Sequence, residues 1–289
     1  MSIRPRRSVL YMPGANERAL EKAKSIDADA LILDLEDSVA PDAKAQGRDN
    51  VVAAVRSGEY GHRELVVRVN AIGTEWHHDD LTAAAAAGPD AVLVPKVESG
   101  EQVRALVAAL EAAGAPPETQ LWAMVETPRA LLHAEEIASA HPRLTAIVMG
   151  TNDIVNETYG LHVPGRNPVV LASLSWTLLA ARAAGVMVID GVYNDVKDAD
   201  GFAAEARQGR EMGFDGKTLI HPSQVEPANL AFSPSEEEVA RARDLIATFE
   251  EAKAAGQGVV TFNNKMVEEL HVRDARRILA FHEAVTARG

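Results

Sequence analysis

The chain has 289 residues, a formal net charge of −13, 47% hydrophobic residues and no cysteine. The missing cysteines exclude disulfides, zinc–thiolate sites and thiol nucleophiles, and the acidic balance argues against nucleic acid as the main partner, since binding it needs a basic footprint. No stretch approaches the ~20 apolar residues of a membrane span, and the apolar run after the basic Met1-Ser2-Ile3-Arg4-Pro5-Arg6-Arg7 is too short for a signal peptide, so a cytoplasmic protein without a membrane partner is expected.

Short apolar runs alternate with amphipathic segments along most of the chain. The runs Ser8–Tyr11, Ala30–Asp34, Leu65–Val69, Ala91–Val94, Leu121–Val125, Ala146–Met149, Val186–Ile189 and Gly216–Ile220 read as buried parallel strands. Helical periodicity marks Asn16–Lys24, Ala43–Arg56, Asp79–Ala87, Glu101–Ala112, Arg129–Ser139, Val169–Ala184 and Ala199–Met212. Eight such units fit an α/β fold of the (β/α)8 TIM barrel type over residues 1–232. A doubly wound open sheet is the alternative. It would normally carry a G-x-G-x-x-G turn after its first strand, and Met12-Pro13-Gly14-Ala15-Asn16 is not one.

Residues 233–289 fall outside the eight units and form a C-terminal helical extension. Ser233-Pro234-Ser235-Glu236 starts a long helix reaching Ala255, and Gly256-Gln257-Gly258 breaks the chain. A β-prone run, Val259-Val260-Thr261-Phe262, then leads to a last helix from about Val267 to Ala287. This extension either packs on its own barrel or reaches a neighbouring subunit.

The chemistry gathers at the strand ends. Glu126 closes the fifth run, and Asp153 follows the sixth after Gly150, Thr151 and Asn152. Carboxylates just past the C-terminal ends of neighbouring parallel strands point into one mouth. With no Cys or His cluster nearby, the pair suits a hard cation such as Mg²⁺ or Mn²⁺; the plainer reading is two acids capping the helices that follow. Asp34-Leu35-Glu36-Asp37 places three acids after the second strand, where Glu36 and Asp37 are candidates for orienting water on a metal. Arg68, within the apolar third strand, needs an anionic partner, either the acidic loop or a substrate carboxylate or enolate, and a purely structural ion pair competes with the second option. Pro95-Lys96 brings another cation to the rim, and Arg18 and Lys22 share a face of the first helix at i, i+4 spacing, where they either bind a diphosphate or are simply solvated.

Together Arg7-Ser8-Val9-Leu10-Tyr11-Met12-Pro13-Gly14, Asp34-Leu35-Glu36-Asp37-Ser38-Val39, Val67-Arg68-Val69-Asn70, Pro95-Lys96, Glu126-Thr127-Pro128 and Gly213-Phe214-Asp215-Gly216-Lys217 resemble the citrate lyase β-subunit-like family of the HpcH/HpaI aldolase superfamily, over nearly the whole chain. The resemblance implies a TIM barrel with bound Mg²⁺, a CoA thioester substrate, a 2-oxo acid or dicarboxylate partner and a homotrimeric or hexameric assembly. It places the metal on Glu126 and Asp153, and gives Arg68 the thioester carbonyl and the 2-oxo acid. The acidic triplet matches the water shell of the metal. Lys96, Gly150, Thr151, Asn152, Pro95, Arg18 and Lys22 are the remaining candidates for substrate or CoA.

The tail departs from the family pattern. Members that are lyases carry Gly-Lys-Met-Val-Asp-like residues whose Asp serves as acid/base in a neighbouring subunit's site; here Asn264-Lys265-Met266-Val267-Glu268 puts Glu268 at that position. The family as a whole implies a Mg²⁺-dependent CoA-ester lyase that cleaves malyl-CoA or citramalyl-CoA to acetyl-CoA and glyoxylate or pyruvate. The tail ending Val267-Glu268-Glu269-Leu270-His271-Val272 is instead similar to a subgroup with malyl-CoA thioesterase activity. Lyase is the first expectation and (3S)-malyl-CoA thioesterase the alternative, with a citrate lyase β-type subunit acting in a larger complex as a third.

Overall fold

The computed structural model describes residues 4–255 and 259–288. Eight strands close into a parallel barrel in sequence order: β1 (Ser8–Pro13), β2 (Ala30–Asp34), β3 (Glu64–Arg68), β4 (Ala91–Val94), β5 (Gln120–Val125), β6 (Leu144–Met149), β7 (Met187–Asp190) and β8 (Gly216–Leu219), with β1 paired to β8. The open-sheet alternative is therefore set aside. Alternate residues on each strand divide two cores. Val9, Ile32, Val66, Leu93, Trp122 and Val148 fill the barrel interior, while Leu10, Leu31, Val67, Val92, Leu121 and Ile147 face the surrounding helices. At the N-terminal end Arg6 stacks on Trp122 at 5.1 Å and forks onto Glu64 at 2.6 and 2.7 Å, which satisfies a buried charge pair.

The helices on the barrel are α1 (Glu17–Ala23), α2 (Lys44–Ser57), α3 (His77–Ala87), α4 (Gly100–Ala112), α5 (Pro128–Leu132), α6 (Ala134–Ser139), α7 (Thr151–Glu157), α8 (Pro168–Ala184), α9 (Ala199–Met212) and α10 (Val225–Phe232). The sequence expectation differs at two segments. The segment Arg129–Ser139 is two helices, because His133 leaves helical geometry at ψ 16° and its Nδ1 lies 2.9 Å from the carbonyl of Glu98. The Thr151-Asn152 turn before Asp153 is the first turn of α7, so Asp153 sits where the helix dipole favours a negative charge. Among the described residues no helix is long and apolar enough to cross a membrane.

From Ser233 the chain forms a second compact unit. It contains α11 (Glu236–Ala254), started by a capping box between Ser235 and Glu238, and an antiparallel hairpin of β9 (Val260–Phe262) and β10 (Lys265–Val267), followed by α12 (Glu269–Thr286). The expected helix start at Val267 is corrected: Asn263 and Asn264, at φ 49° and 60°, make the two-residue turn that folds the chain back, and Val267 ends a strand. Glu268 is the N-cap of α12 and is exposed. The Gly256-Gln257-Gly258 break lies outside the described residues.

Candidate active site

At the C-terminal end of the barrel a cavity of about 340 Å³ is lined by Tyr11, Asp34, Asp37, Arg68, Met124, Glu126, Gly150, Thr151, Asn152 and Asp153, with Val192 and Ile220 on the apolar side. Glu126 is 2% exposed. Its Oε1 accepts a hydrogen bond of 2.9 Å from the backbone N–H of Lys96, a non-glycine residue held at φ 53°, the left-handed region where strain collects at functional sites. Opposite, Gly150 has no room for a side chain, because a Cβ there would overlap the Glu126 carboxylate.

The electrostatics of the pocket are those of carboxylates gathered without enough cations. Burial, reinforced by the charges of Asp153 and Glu36, pushes Glu126 up to about 8. Burial also raises Asp153, against the pull of Lys96, whose ammonium lies 3.9 Å away. Glu36 is pushed up to about 7, first by burial and then, against Arg68, by Asp37 and Asp34. A buried Glu126 and a half-buried Asp153 that raises its pKa are suited to share a divalent cation, which stabilises both in the ionised form. Among the described residues no group of three or more His, Asp or Glu side chains converges as a complete cage. Two carboxylates with open positions for water and substrate match the way Mg²⁺ is bound.

Arg68 meets the acidic loop. Its Nε and Nη2 fork onto Asp34 at 2.6 and 2.7 Å, and Nη1 lies 2.8 Å from Glu36 and 3.5 Å from Asp37. Asp34 and Arg68 are register partners across β2 and β3. Burial opposes the charge on both, yet the attraction between them holds Asp34 below the ordinary carboxylate range and raises Arg68. Nη1 thus sits between the Glu36 carboxylate and the sulfur of Met124, 3.9 Å away, on the cavity side of the guanidinium.

The other candidates divide. Gly150, Thr151 and Asn152 line the cavity, and Asn152 exchanges two side-chain hydrogen bonds of 3.1 and 2.8 Å with Asn194. Pro95 is buried behind the exposed Lys96. Arg18 borders a surface depression that shares Pro13 and Ser38 with the main cavity, whereas Lys22, although exposed, does not line it. Tyr11, a strand residue in the sequence, is also a site residue. Its ring stacks 4.7 Å from the Arg68 guanidinium and its hydroxyl lies 3.9 Å from the sulfur of Met124, on the cavity wall. Burial raises the Tyr11 phenol, so it stays a donor at neutral pH. A tyrosine at the end of the first strand was the one available signal.

Residues 7–222 match the family described as HpcH/HpaI aldolase/citrate lyase. The chain belongs to this family. As a member of the HpcH/HpaI aldolase/citrate lyase family it is an enzyme, and two relatives of differing activity align with almost all of it. It is 50% identical over 283 residues to a (3S)-malyl-CoA thioesterase of Cereibacter sphaeroides, covering 98% of this chain and 96% of the relative. It is 35% identical over 307 residues to an L-malyl-CoA/beta-methylmalyl-CoA lyase of the same species, covering 98% and 96%. Among solved structures of the family, the CitE protein of Mycobacterium tuberculosis in complex with magnesium, acetoacetate and coenzyme A is similar, with a TM-score of 0.79 at 32% identity, covering 96% of this chain and 98% of that one.

Proposed function

We propose that this protein is a Mg²⁺-dependent hydrolase of (3S)-malyl-CoA, releasing malate and free CoA. The observation that carries the reading is the identity of 50% to a (3S)-malyl-CoA thioesterase against 35% to the L-malyl-CoA/beta-methylmalyl-CoA lyase, at equal coverage of this chain. That ordering favours the thioesterase over the lyase, reversing the expectation from family breadth. Glu268, where family lyases carry Asp, supports the same reversal.

Glu126 and Asp153 are the residues proposed to hold the cation, since the charge of Asp153 adds to the burial that raises Glu126 and a cation would offset both. Bound there, Mg²⁺ supplies Lewis-acid polarisation and an anchor for the oxygens of the malyl group. Lys96 keeps one Glu126 oxygen oriented through its backbone N–H. In hydrolysis a water oxygen bonds to the thioester carbonyl carbon while a base takes its proton. The C–S bond then breaks, and the CoA sulfur leaves with a proton returned to it. Nη1 of Arg68, shared with Glu36 at 2.8 Å, is the proposed donor to the oxyanion formed in between, while Asp34 fixes the Nε and Nη2 edge. Glu268 is the proposed base, contributed by the extension of a neighbouring copy in a homo-oligomer. Arg18, beside the depression that joins the cavity, is the proposed contact for the CoA phosphates. The test is to supply (3S)-malyl-CoA and Mg²⁺ to the purified protein and follow free CoA. Release that stops with EDTA and in Glu126→Gln supports the reading, and release unaffected by either overturns the cation assignment.

A further inference from the structure

Lys44 opens α2, which places a cation at the positive end of a helix, where a charge of that sign is disfavoured. It is also buried, at 6% exposure. Burial pushes its ammonium below the ordinary lysine range, against the pull of Asp34, Asp80, Glu36 and Asp37. A residue that breaks two local rules at once needs a compensating interaction. Here the ammonium meets three acceptors: the carbonyl of Leu35 at 2.8 Å, the carbonyl of Glu36 at 2.7 Å and Oδ1 of Asn70 at 2.7 Å. These match its three donors. Asn70 also donates to the Leu35 carbonyl at 2.8 Å and to Asp80 at 2.6 Å, and Arg48 holds the second Asp80 oxygen at 2.9 Å. The Trp76 ring lies 5.0 Å from the ammonium.

The acidic turn is thus gripped by two cations with different tasks. Arg68 takes the side chains of Asp34 and Glu36, and Lys44 takes the backbone carbonyls that come between and after them. We infer that Lys44 is a positioning residue of the site: by holding the Leu35 and Glu36 carbonyls it fixes where the Glu36 and Asp37 carboxylates stand relative to Arg68 and the cavity. The inference rests on the proposed hydrolase reading of that cavity. Lys44 itself is not among the residues that line it.

The experiment is a double-mutant cycle of Lys44→Met and Glu36→Gln, with turnover of (3S)-malyl-CoA, melting temperature and amide hydrogen exchange measured for each protein. In Lys44→Met, kcat is expected to fall at least about tenfold with KM within about threefold, as a displaced site predicts. The double variant should lose no more than the worse single one, because both act on one turn. Exchange should rise at residues 35–38 and stay unchanged in the barrel strands, and Lys44→Arg should recover part of kcat. Losses that multiply in the double variant, or kcat per folded molecule within about threefold of the parent in Lys44→Met, overturn the inference. So does exchange that rises throughout the barrel. If Lys44→Met does not fold, Lys44→Arg and Lys44→Gln are taken through the same cycle. A parent protein inactive on malyl-CoA sinks the hydrolase reading, while the exchange comparison still tests the clamp.

Discussion

The Glu126 carboxylate occupies the space that a side chain on Gly150 would need. The close approach follows from the pairing of β5 with β6: the N–H of Gly150 donates to the carbonyl of Val125 at 3.2 Å, which brings the ends of the two strands together directly beside Glu126. The two candidate cation ligands, Glu126 and Asp153, therefore come from neighbouring strand ends spaced by a bare glycine.

Gly150→Ala should move Glu126 without removing it. A displacement of about 1 Å at a catalytic group costs on the order of 100-fold in rate, so the variant should fold and lose activity to about that extent. Isothermal titration with Mg²⁺ should show weakened binding in parallel. Unchanged cation affinity would mean that Glu126 is not a ligand.

Arg68→Lys keeps one positive charge and loses the fork. The lost contacts to Asp34 should lower the melting temperature by about 5–10 °C, and losing a preorganised donor should lower kcat by about 100- to 1000-fold. Circular dichroism and steady-state kinetics on the same preparation separate the two effects. Complete unfolding would make Arg68 a structural ion-pair residue rather than a catalytic one.

Glu36 gives a pH dependence of definite sign. Its folded-state pKa is raised from 4.5 to about 7, so the folded protein binds this proton more tightly than the unfolded chain does. The contribution to stability is fully present below about pH 4.5 and is lost as pH rises through about 7. In chelator, Glu36→Gln should therefore gain stability relative to the parent across this window and hold the gain above it. Urea unfolding at several pH values measures this; a difference independent of pH would mean that Glu36 is ionised throughout.

A site shared between chains predicts complementation. Glu268→Ala and Glu126→Gln chains, each inactive alone, should recover part of the activity once exchanged into mixed oligomers, because some sites then receive both intact carboxylates. Mixed oligomers without recovery would place the base within the same chain as the cation ligands.

The strands were legible because a buried parallel strand is an apolar run, and Arg68 stood out as a charge inside one. Its partner is not legible in the same way, because the pairing with Asp34 is a matter of register between β2 and β3. The break at His133 was hidden by apolar periodicity that continues through it. The Asn263-Asn264 turn was written in residue types that favour positive φ, but the β-prone run before it read as a lead into the last helix. Lys44 gave no signal at all: two of its three partners are backbone carbonyls, which any sequence supplies, and the third, Asn70, is 26 residues away. Tyr11 was concealed by the strand that carries it.

Hydrolysis and carbon–carbon cleavage of the same thioester leave different products, so the products of the unmodified protein separate the two. With (3S)-malyl-CoA and Mg²⁺, free CoA and malate should appear together in equal amounts, with acetyl-CoA and glyoxylate as minor products at most. Glu268→Asp should shift the ratio toward acetyl-CoA and glyoxylate, because the shorter arm restores the geometry that family lyases use. Stoichiometric acetyl-CoA and glyoxylate from the unmodified protein, with no free malate, would rule out the hydrolase reading and identify the enzyme as a lyase.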